Sequence, residues 1–362
     1  MALSRFTNLL IALVAIVFIL MVTKTYLLPF IIALLIWYFI YQARAFLRKS
    51  ELVRSRFPTW AQNALVFALS FLILGLAARV LGENIQEFSK VLPTYDANIQ
   101  KINTAINQYL NIDIMANARA YVGNLNLTAV VQPILQELSS TLASGFMILL
   151  YTVFILLEER RFHQKFLQIF ATEDQFRNVN SLIRKIDDTF SRYIILKTFV
   201  SLLTAVLSFV VLLIIGVDAP ALWAFIIFLL NYIPSIGSLI ATAFPAVVAM
   251  LQNGHVGPGL WVLFGVGTIQ VLVGNVLEPR LMGDSLNISP LVVIISLIVW
   301  GAIWGVMGMV LSVPITVMII AILAQFPSTK SVAILLSGTG QVDLETSSDS
   351  PQQNEEQPET EG

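Results

Sequence analysis

Residues 275–314 read NVLEPRLMGDSLNISPLVVIISLIVWGAIWGVMGMVLSVP. The stretch is almost wholly apolar, yet helix-breaking residues recur along it. Glu278-Pro279 reads as the stop of one helix, and residues 283–289 as a polar elbow. Trp300-Gly301, then Trp304-Gly305 through Gly308, then Pro314, read as further interruptions. A plain membrane span needs only lipid-compatible residues. In hydrocarbon, an interrupted backbone persists only where protein or a water-filled cavity satisfies the freed N–H and C=O groups. Repeated breaks at membrane depth are therefore the sequence mark of a transport pathway, where half-helices meet a solute.

Composition supports a membrane protein. Of 362 residues, 57% are hydrophobic and 12% charged, against about 25% charged in a soluble domain. The apolar residues come in long runs, so the expected class is an all-α polytopic membrane protein. The net charge is −1, and no basic stripe argues for nucleic acid. There is no cysteine, which excludes disulfides, thiolate metal sites and a cysteine nucleophile. His163 and His255 are too far apart to make a metal-ligand spacing. No phosphate loop, nucleophile elbow or zinc-protease helix is present. The expectation is a protein without cofactor or metal, and not an enzyme.

Taken in order, residues 1–82 read as three transmembrane helices, with apolar runs at 6–22, 27–41 and 61–81. The loop between the second and third carries Arg44, Arg48, Lys49, Arg54 and Arg56 against Glu51. Such a basic loop marks the cytoplasmic side and places the N-terminus there too. Residues 83–141 read as an extracytoplasmic helical segment, with Ile99, Ile102, Ile106 and Tyr109 on one face. Thr128 is a candidate N-cap for the helix that follows, whose apolar part, 142–157, returns to the cytoplasm. Residues 158–192 are charged and read as cytoplasmic amphipathic helices, with a seam at Phe176, Val179, Ile183, Ile186 and Phe190.

Residues 193–326 read as the transport core. Its first span, 193–215, ends at Gly216 and a tight turn in which Asp218 lies at the outer surface. Residues 221–230 are too few to cross: at ~1.5 Å per residue they cover about half of a ~30 Å hydrocarbon layer. They stop at Asn231-Tyr-Ile-Pro234-Ser235-Ile-Gly237-Ser238, and residues 239–251 return. Residues 259–277 form a full span with a polar end, Gln270 and Asn275. Residues 288–299 and 309–326 then repeat the half-helix plan around the tryptophan–glycine break. The expectation is about six full transmembrane helices and two broken re-entrant hairpins opening to opposite sides. Residues 327–362 read as a disordered acidic tail.

Several of these residues form a more specific pattern. Asn275, Glu278-Pro279, Leu281-Met282-Gly283, Ser289-Pro290-Leu291, Trp300-Gly301, Trp304-Gly305, Gly308-Met309 and Val313-Pro314 together resemble the signature of the autoinducer-2 exporter family. Asn231, Ile233-Pro234, Ile236-Gly237 and Pro245 match it as well, and the resemblance runs from the first helix pair to about Phe326. Ser235 and Ser238 stand where the family pattern carries an aromatic residue and a second proline. The resemblance implies a multi-pass inner-membrane transporter with both termini in the cytoplasm. It implies a homo-oligomer, with a pentamer as the expected assembly. Some members are similar to exporters of the furanone signal autoinducer-2 used in quorum sensing. Others behave as sodium or lithium/proton antiporters.

The candidate path residues follow from the breaks. Glu278 is a proton-coupling group or cation ligand, because a membrane carboxylate is costly and functional by default. The alternative is an interfacial acid paired with Arg280 near the cytoplasmic face. The amides of Asn231 and Asn275 either hold a hydroxylated solute or cap backbone carbonyls. Ser235 and Ser238 add hydroxyls at the first tip, where Pro234 and Gly237 make the break. Gly301, Gly305 and Gly308 leave room for a solute or for close helix contact. Trp300 and Trp304 stack on a solute ring or face lipid. Three readings follow. The first is export of a small polar organic solute by alternating access, and the second is cation/proton antiport on the same scaffold, coupled to a proton or sodium gradient. The third is a membrane scaffold or receptor that moves nothing.

Overall fold

The computed structural model describes residues 2–48, 59–95, 98, 101, 127–169, 173–234, 236–282, 288–326 and 328–340. The basic stretch 49–58, the face at Ile99, Ile102, Ile106 and Tyr109, Ser235, the elbow at 283–287 and the acidic residues 341–362 lie outside the described residues, as do the side chains of His163, Phe176, Val179 and Ile186. The described chain is helical, without strand. Its helices are α1 (Ala2–Val22), α2 (Lys24–Arg48), α3 (Thr59–Val91), α4 (Leu127–Ala143), α5 (Gly145–Ile169), α6 (Glu173–Ile215), α7 (Pro220–Leu230) and α8 (Ile236–Asn253). After these come α9 (Gly257–Gln270), a π-helical segment (Val271–Leu277), α10 (Glu278–Met282), α11 (Pro290–Trp304), α12 (Val306–Leu323) and α13 (Lys330–Leu336). Six helices are long and apolar enough to cross a membrane, and α4 with α5, bent by 45°, make a seventh candidate. The protein is thus an all-α polytopic membrane protein.

The longest element, α6, has 43 residues and spans about 64 Å at 1.5 Å per residue. The sequence divides it at 192/193, but the helix is continuous from its charged start to Ile215. It serves as a ruler for the rest. Near its first half, Tyr38 of α2 donates to Asp187 Oδ1 at 3.1 Å, and Gln42 donates to Ser191 Oγ at 2.6 Å. Arg44 reaches both oxygens of Glu159 on α5, at 2.9 and 2.7 Å. At the other end, Gly216 takes φ +79° while Val217 N–H bonds the Leu212 carbonyl at 3.0 Å. This left-handed closure satisfies the last carbonyls of α6, and glycine adopts it without a Cβ clash. Asp218, in the turn, accepts from Tyr95 Oη at 2.5 Å, and Gln252 bridges Asp218 N–H and the Gly216 carbonyl at 2.9 Å each.

Two helical hairpins are present at the expected places, but their returning arms α8 and α12 are not half-helices and are long and apolar enough to cross a membrane. In hairpin 1, α7 and α8 run antiparallel: Trp223 stacks on Phe244, and Gly237 abuts the Leu230 carbonyl. In hairpin 2, α11 and α12 do the same, with Gly308 against the Trp300 carbonyl and Gly301 against Met309. The base of hairpin 1 packs with Leu212, at the Asp218 end of α6. The base of hairpin 2, through Val317, packs with Tyr193, toward the Asp187 end. The hairpins therefore open at opposite ends of α6. Their tips overlap, since Tyr232 and Ile233 of hairpin 1 pack on Leu297 and Val310 of hairpin 2.

Several sequence-based boundaries shift. Glu278-Pro279 does not stop a helix. The chain passes through it by widening to a π register, in which Glu278 N–H bonds the Val273 carbonyl five residues back. Trp300-Gly301 and Gly308 lie within helices, and the only break in residues 290–323 is Gly305, with φ +65° and ψ −142°. Pro314 lies inside α12, as Pro245 lies inside α8. Packed neighbours tolerate such prolines at membrane depth. The returning arms α8 and α12 have 18 residues each and count among the six spanning candidates, so each hairpin joins a shorter arm to one long enough to cross. Of the six expected full spans, 6–22 falls instead in a shorter apolar helix and 142–157 in the bent α4–α5 pair. The third helix runs to Val91, well past residue 81. Thr128 lies inside α4 rather than before it.

Helix association in lipid gains little from the hydrophobic effect and relies on close packing at small residues. A Cβ at Gly308 would overlap the Trp300 carbonyl, whereas one at Gly75 would meet nothing within 4 Å. Gly308→Ala is expected to destabilise the protein by about 1–3 kcal/mol through overpacking. Gly75→Ala is expected to be neutral or stabilising, because alanine is the better helix former. Apparent melting temperature in detergent, followed by tryptophan fluorescence, checks both.

Candidate functional site

Hairpin 1 ends in a turn whose backbone is largely self-satisfied. Asn231, Tyr232 and Ile233 N–H groups bond carbonyls of α7 at 2.9, 3.1 and 2.8 Å, and Gly237 N–H returns to Ile233 at 3.1 Å. The side chains then dock the turn onto α6. Asn231 Nδ2 donates to Ser201 Oγ at 3.1 Å, and Tyr232 Oη and Thr198 Oγ1 share a hydrogen bond of 2.6 Å. The amide of Asn231 thus binds another helix instead of capping a carbonyl.

One turn away on α6, Lys197 forms an ion pair with Glu278. The Lys197 side chain is 7% exposed and that of Glu278 20%. The pair is thus largely withdrawn from solvent. Sequence reasoning gave Glu278 either a transport role or a surface pairing with Arg280. The structure gives it Lys197, and Arg280 is exposed. Removing one member of a buried pair strands a charge and costs about 3–5 kcal/mol.

A cavity of about 550 Å³ opens between these elements, within the 300–1,000 Å³ range of small-molecule sites. Its polar wall is Lys197, Asn231, Ser238, Gln270, Asn275 and Glu278. Its apolar wall includes Tyr193, Ile233, Pro234, Ile236 and Leu297. The π segment shapes this wall. Gln270, just before the segment, and Asn275, within it, both line the cavity. Pro279 has no N–H to continue the π register, which leaves the Gly274 carbonyl without this donor, and Gly274 is also on the wall.

The candidate path residues therefore divide. Asn231, Pro234, Ser238, Asn275 and Glu278 come together on the cavity, while Ser235 lies outside the described residues. Gly237 is buried and sets the tight return against Leu230. Trp300, Gly301, Trp304 and Gly305 do not line this cavity. Gly301 admits Met309 of the facing arm. Trp304 is buried and donates from Nε1 to the Leu20 carbonyl at 3.1 Å, which pins α1 to the tip of hairpin 2, where Trp300 packs as well. Their role in the monomer is packing. Gly305 forms the tip itself, close to Lys24.

Two cavity residues were not among the sequence candidates. Lys197 interrupts the apolar run 193–215, and a lone cation inside a span is a usable signal. Gln270 was visible only as a polar helix end. It is 7% exposed, and its Nε2 has no hydrogen-bond partner in the protein. An unpaired buried amide costs about 1–3 kcal/mol.

Two other cavities differ in kind. One of about 370 Å³, between α2, α3, α4 and the hairpins, is walled almost wholly by side chains such as Leu35, Phe228 and Met307. The other, about 350 Å³, lies by the tip of hairpin 2 at Met307 and is lined by Lys24, Glu137, Ser140 and Ser144. Lys24 and Glu137 are 3.5 Å apart and each about one-third exposed. Each hairpin tip thus lies beside a polar cavity that holds a lysine–glutamate pair.

Comparison with known proteins agrees with this architecture. Residues 10–328 match the family described as AI-2E family transporter. The AI-2 transport protein TqsA of Escherichia coli K12 is 33% identical over 293 residues, covering 79% of this chain and 83% of that protein. A putative transport protein of Haemophilus influenzae Rd is also 33% identical, over 79% of this chain and 84% of its own. One from Borreliella burgdorferi B31 is 27% identical over 86% of this chain and 84% of its own. The chain belongs to the AI-2E family of transporters.

Proposed function

We propose that the protein exports a small, uncharged, oxygen-bearing organic solute of the autoinducer-2 type by alternating access. The observation that carries this reading is the 550 Å³ cavity in which the hairpin 1 tip, the π segment and the Lys197–Glu278 pair meet. Its wall carries side-chain amides suited to a polar solute, and its ion pair adds no net charge. The second polar cavity, by the tip of hairpin 2, supplies a station toward the opposite end. Rocking of the hairpins against α6 would open each station in turn. The name of the Escherichia coli relative supports autoinducer-2 as the first solute to try. We place the protein in the inner membrane as a homo-oligomer, a pentamer by family resemblance, with cytoplasmic termini. We read it as a carrier rather than an enzyme, without cofactor, driven by a proton or sodium gradient.

One observation keeps antiport as the second reading: Glu278 is a carboxylate that borders the cavity. A sodium ion or proton would have to compete with the Lys197 ammonium already bound there. That competition favours the organic solute. A scaffold that moves nothing would need neither cavity.

Purified protein in proteoliposomes, loaded with synthetic autoinducer-2 and given proton and sodium gradients separately, tests the function. Solute efflux that depends on one gradient is expected; cation exchange with no solute efflux would select the antiporter. Lys197→Met alone is expected to lower stability by about 3–5 kcal/mol, because it strands the Glu278 carboxylate. The double substitution Lys197→Met with Glu278→Met is expected to regain most of that stability. It is expected to lose at least about tenfold in flux, the scale of one lost polar contact in a desolvated site. Unchanged flux in the double variant would remove the pair from the mechanism.

A further inference from the structure

Four buried side-chain atoms among the described residues lack a hydrogen-bond partner: Arg44 Nε, Ser208 Oγ, Trp223 Nε1 and Gln270 Nε2. Of these residues, only Gln270 lines the polar cavity. Two of its polar neighbours there are committed elsewhere. The NH2 group of Asn231 is held by Ser201, and the Lys197 ammonium by Glu278. An aliphatic side chain would suit an apolar helix such as α9 better. A glutamine on a polar cavity wall that keeps a buried, unpaired donor is poised to turn that donor onto a ligand acceptor.

We propose that Gln270 reads the solute: its NH2 group donates to a hydroxyl, ether or carbonyl oxygen of an uncharged molecule seated between the hairpin 1 tip and the π segment. This rests on the transport reading above and deepens it by naming the recognition chemistry. The solute brings an acceptor oxygen to hydrogen-bond distance, about 2.9 Å. It brings no net charge, because Lys197 and Glu278 neutralise each other and leave little to offset the lost hydration of an ion. Asn275, five residues on, lines the same cavity, so one solute face meets two amides.

The test uses full-length protein in proteoliposomes with synthetic autoinducer-2 as the probe, comparing wild type with Gln270→Met and Gln270→Asn. Methionine keeps the length and removes the donor, while asparagine keeps the donor on a shorter arm. Gln270→Met is expected to raise the KM for efflux about tenfold, the scale of one hydrogen bond, with maximal rate changed less than about twofold and Gln270→Asn intermediate. A purely structural glutamine would lower the maximal rate and leave KM in place, and that result overturns the proposal. A second arm needs no transported solute. The chain has no cysteine, so Gln270→Cys carries the sole thiol. Neutral hydroxyethyl methanethiosulfonate is expected to label it faster than the cationic trimethylammonium reagent, each rate taken relative to a free thiol in solution. Equal relative rates, or no labelling, overturn the placement. Selective neutral labelling with no autoinducer-2 flux in wild type would discard the furanone and uphold Gln270 as the residue facing an uncharged solute.

Discussion

The ion pair between Lys197 and Glu278 constrains the rest of the core. Neither charge is tolerable alone once buried, so α6 and α10 must meet at that level. The tip of hairpin 1 meets α6 at the same level, because Asn231 and Tyr232 find their partners on Ser201 and Thr198, four residues and one residue beyond Lys197. Three elements with different routes through the sequence are thereby fixed around one point. The cavity is the space that their unlike shapes leave. A straight α-helix in place of the π segment would rotate Asn275 relative to Gln270 and so change that space.

Around that point the fold is made of two opposed hairpins whose arms approach closely. Glycine permits this where it counts: Gly237 at the first tip, Gly301 and Gly308 between the arms of the second. The clusters that back the hairpins are small or aliphatic, with Ala241, Ala246 and Ala249 of α8 facing Val262 and Val266 of α9. In lipid, such contacts hold through dispersion and fit rather than water exclusion. Polar collars at either end, Tyr38–Asp187 with Arg44–Glu159 on one side and Tyr95–Asp218–Gln252 on the other, set the depth of α6. The mobile parts of a transporter need such a fixed frame, and the hairpins have bases at opposite ends of it.

Much of this was legible in the residues. Segment length alone gave the hairpins, since the ten residues 221–230 cannot cross a bilayer, and Asn231 with Pro234 marked the first tip correctly. The tryptophan–glycine run was misread in detail. Glycine signals both a break and a close approach, and only coordinates separate Gly305, which turns the chain, from Gly301 and Gly308, which accommodate a facing arm. Pro279 was read as a stop because a proline removes an α-helical bond. The π register absorbs that loss, and no sequence pattern announces it. Lys197 was overlooked although a lone lysine in an apolar run is a strong signal. Its partner, 81 residues away, could not be read from spacing. Gln270 gave only a polar letter until its burial and its unpaired donor were seen together.

The central claim is that two hairpins with bases on opposite membrane faces bring their tips together beside an ion pair held at depth. A density map of the assembled protein in lipid nanodiscs measures this directly, because the headgroup layers appear as two planes. The expected map puts Gly216 and Asn253 at one plane, Pro290 and Leu323 at the other, and Lys197–Glu278 within the hydrocarbon between them. Bases of both hairpins at the same plane, or the ion pair level with the headgroups, would contradict the account.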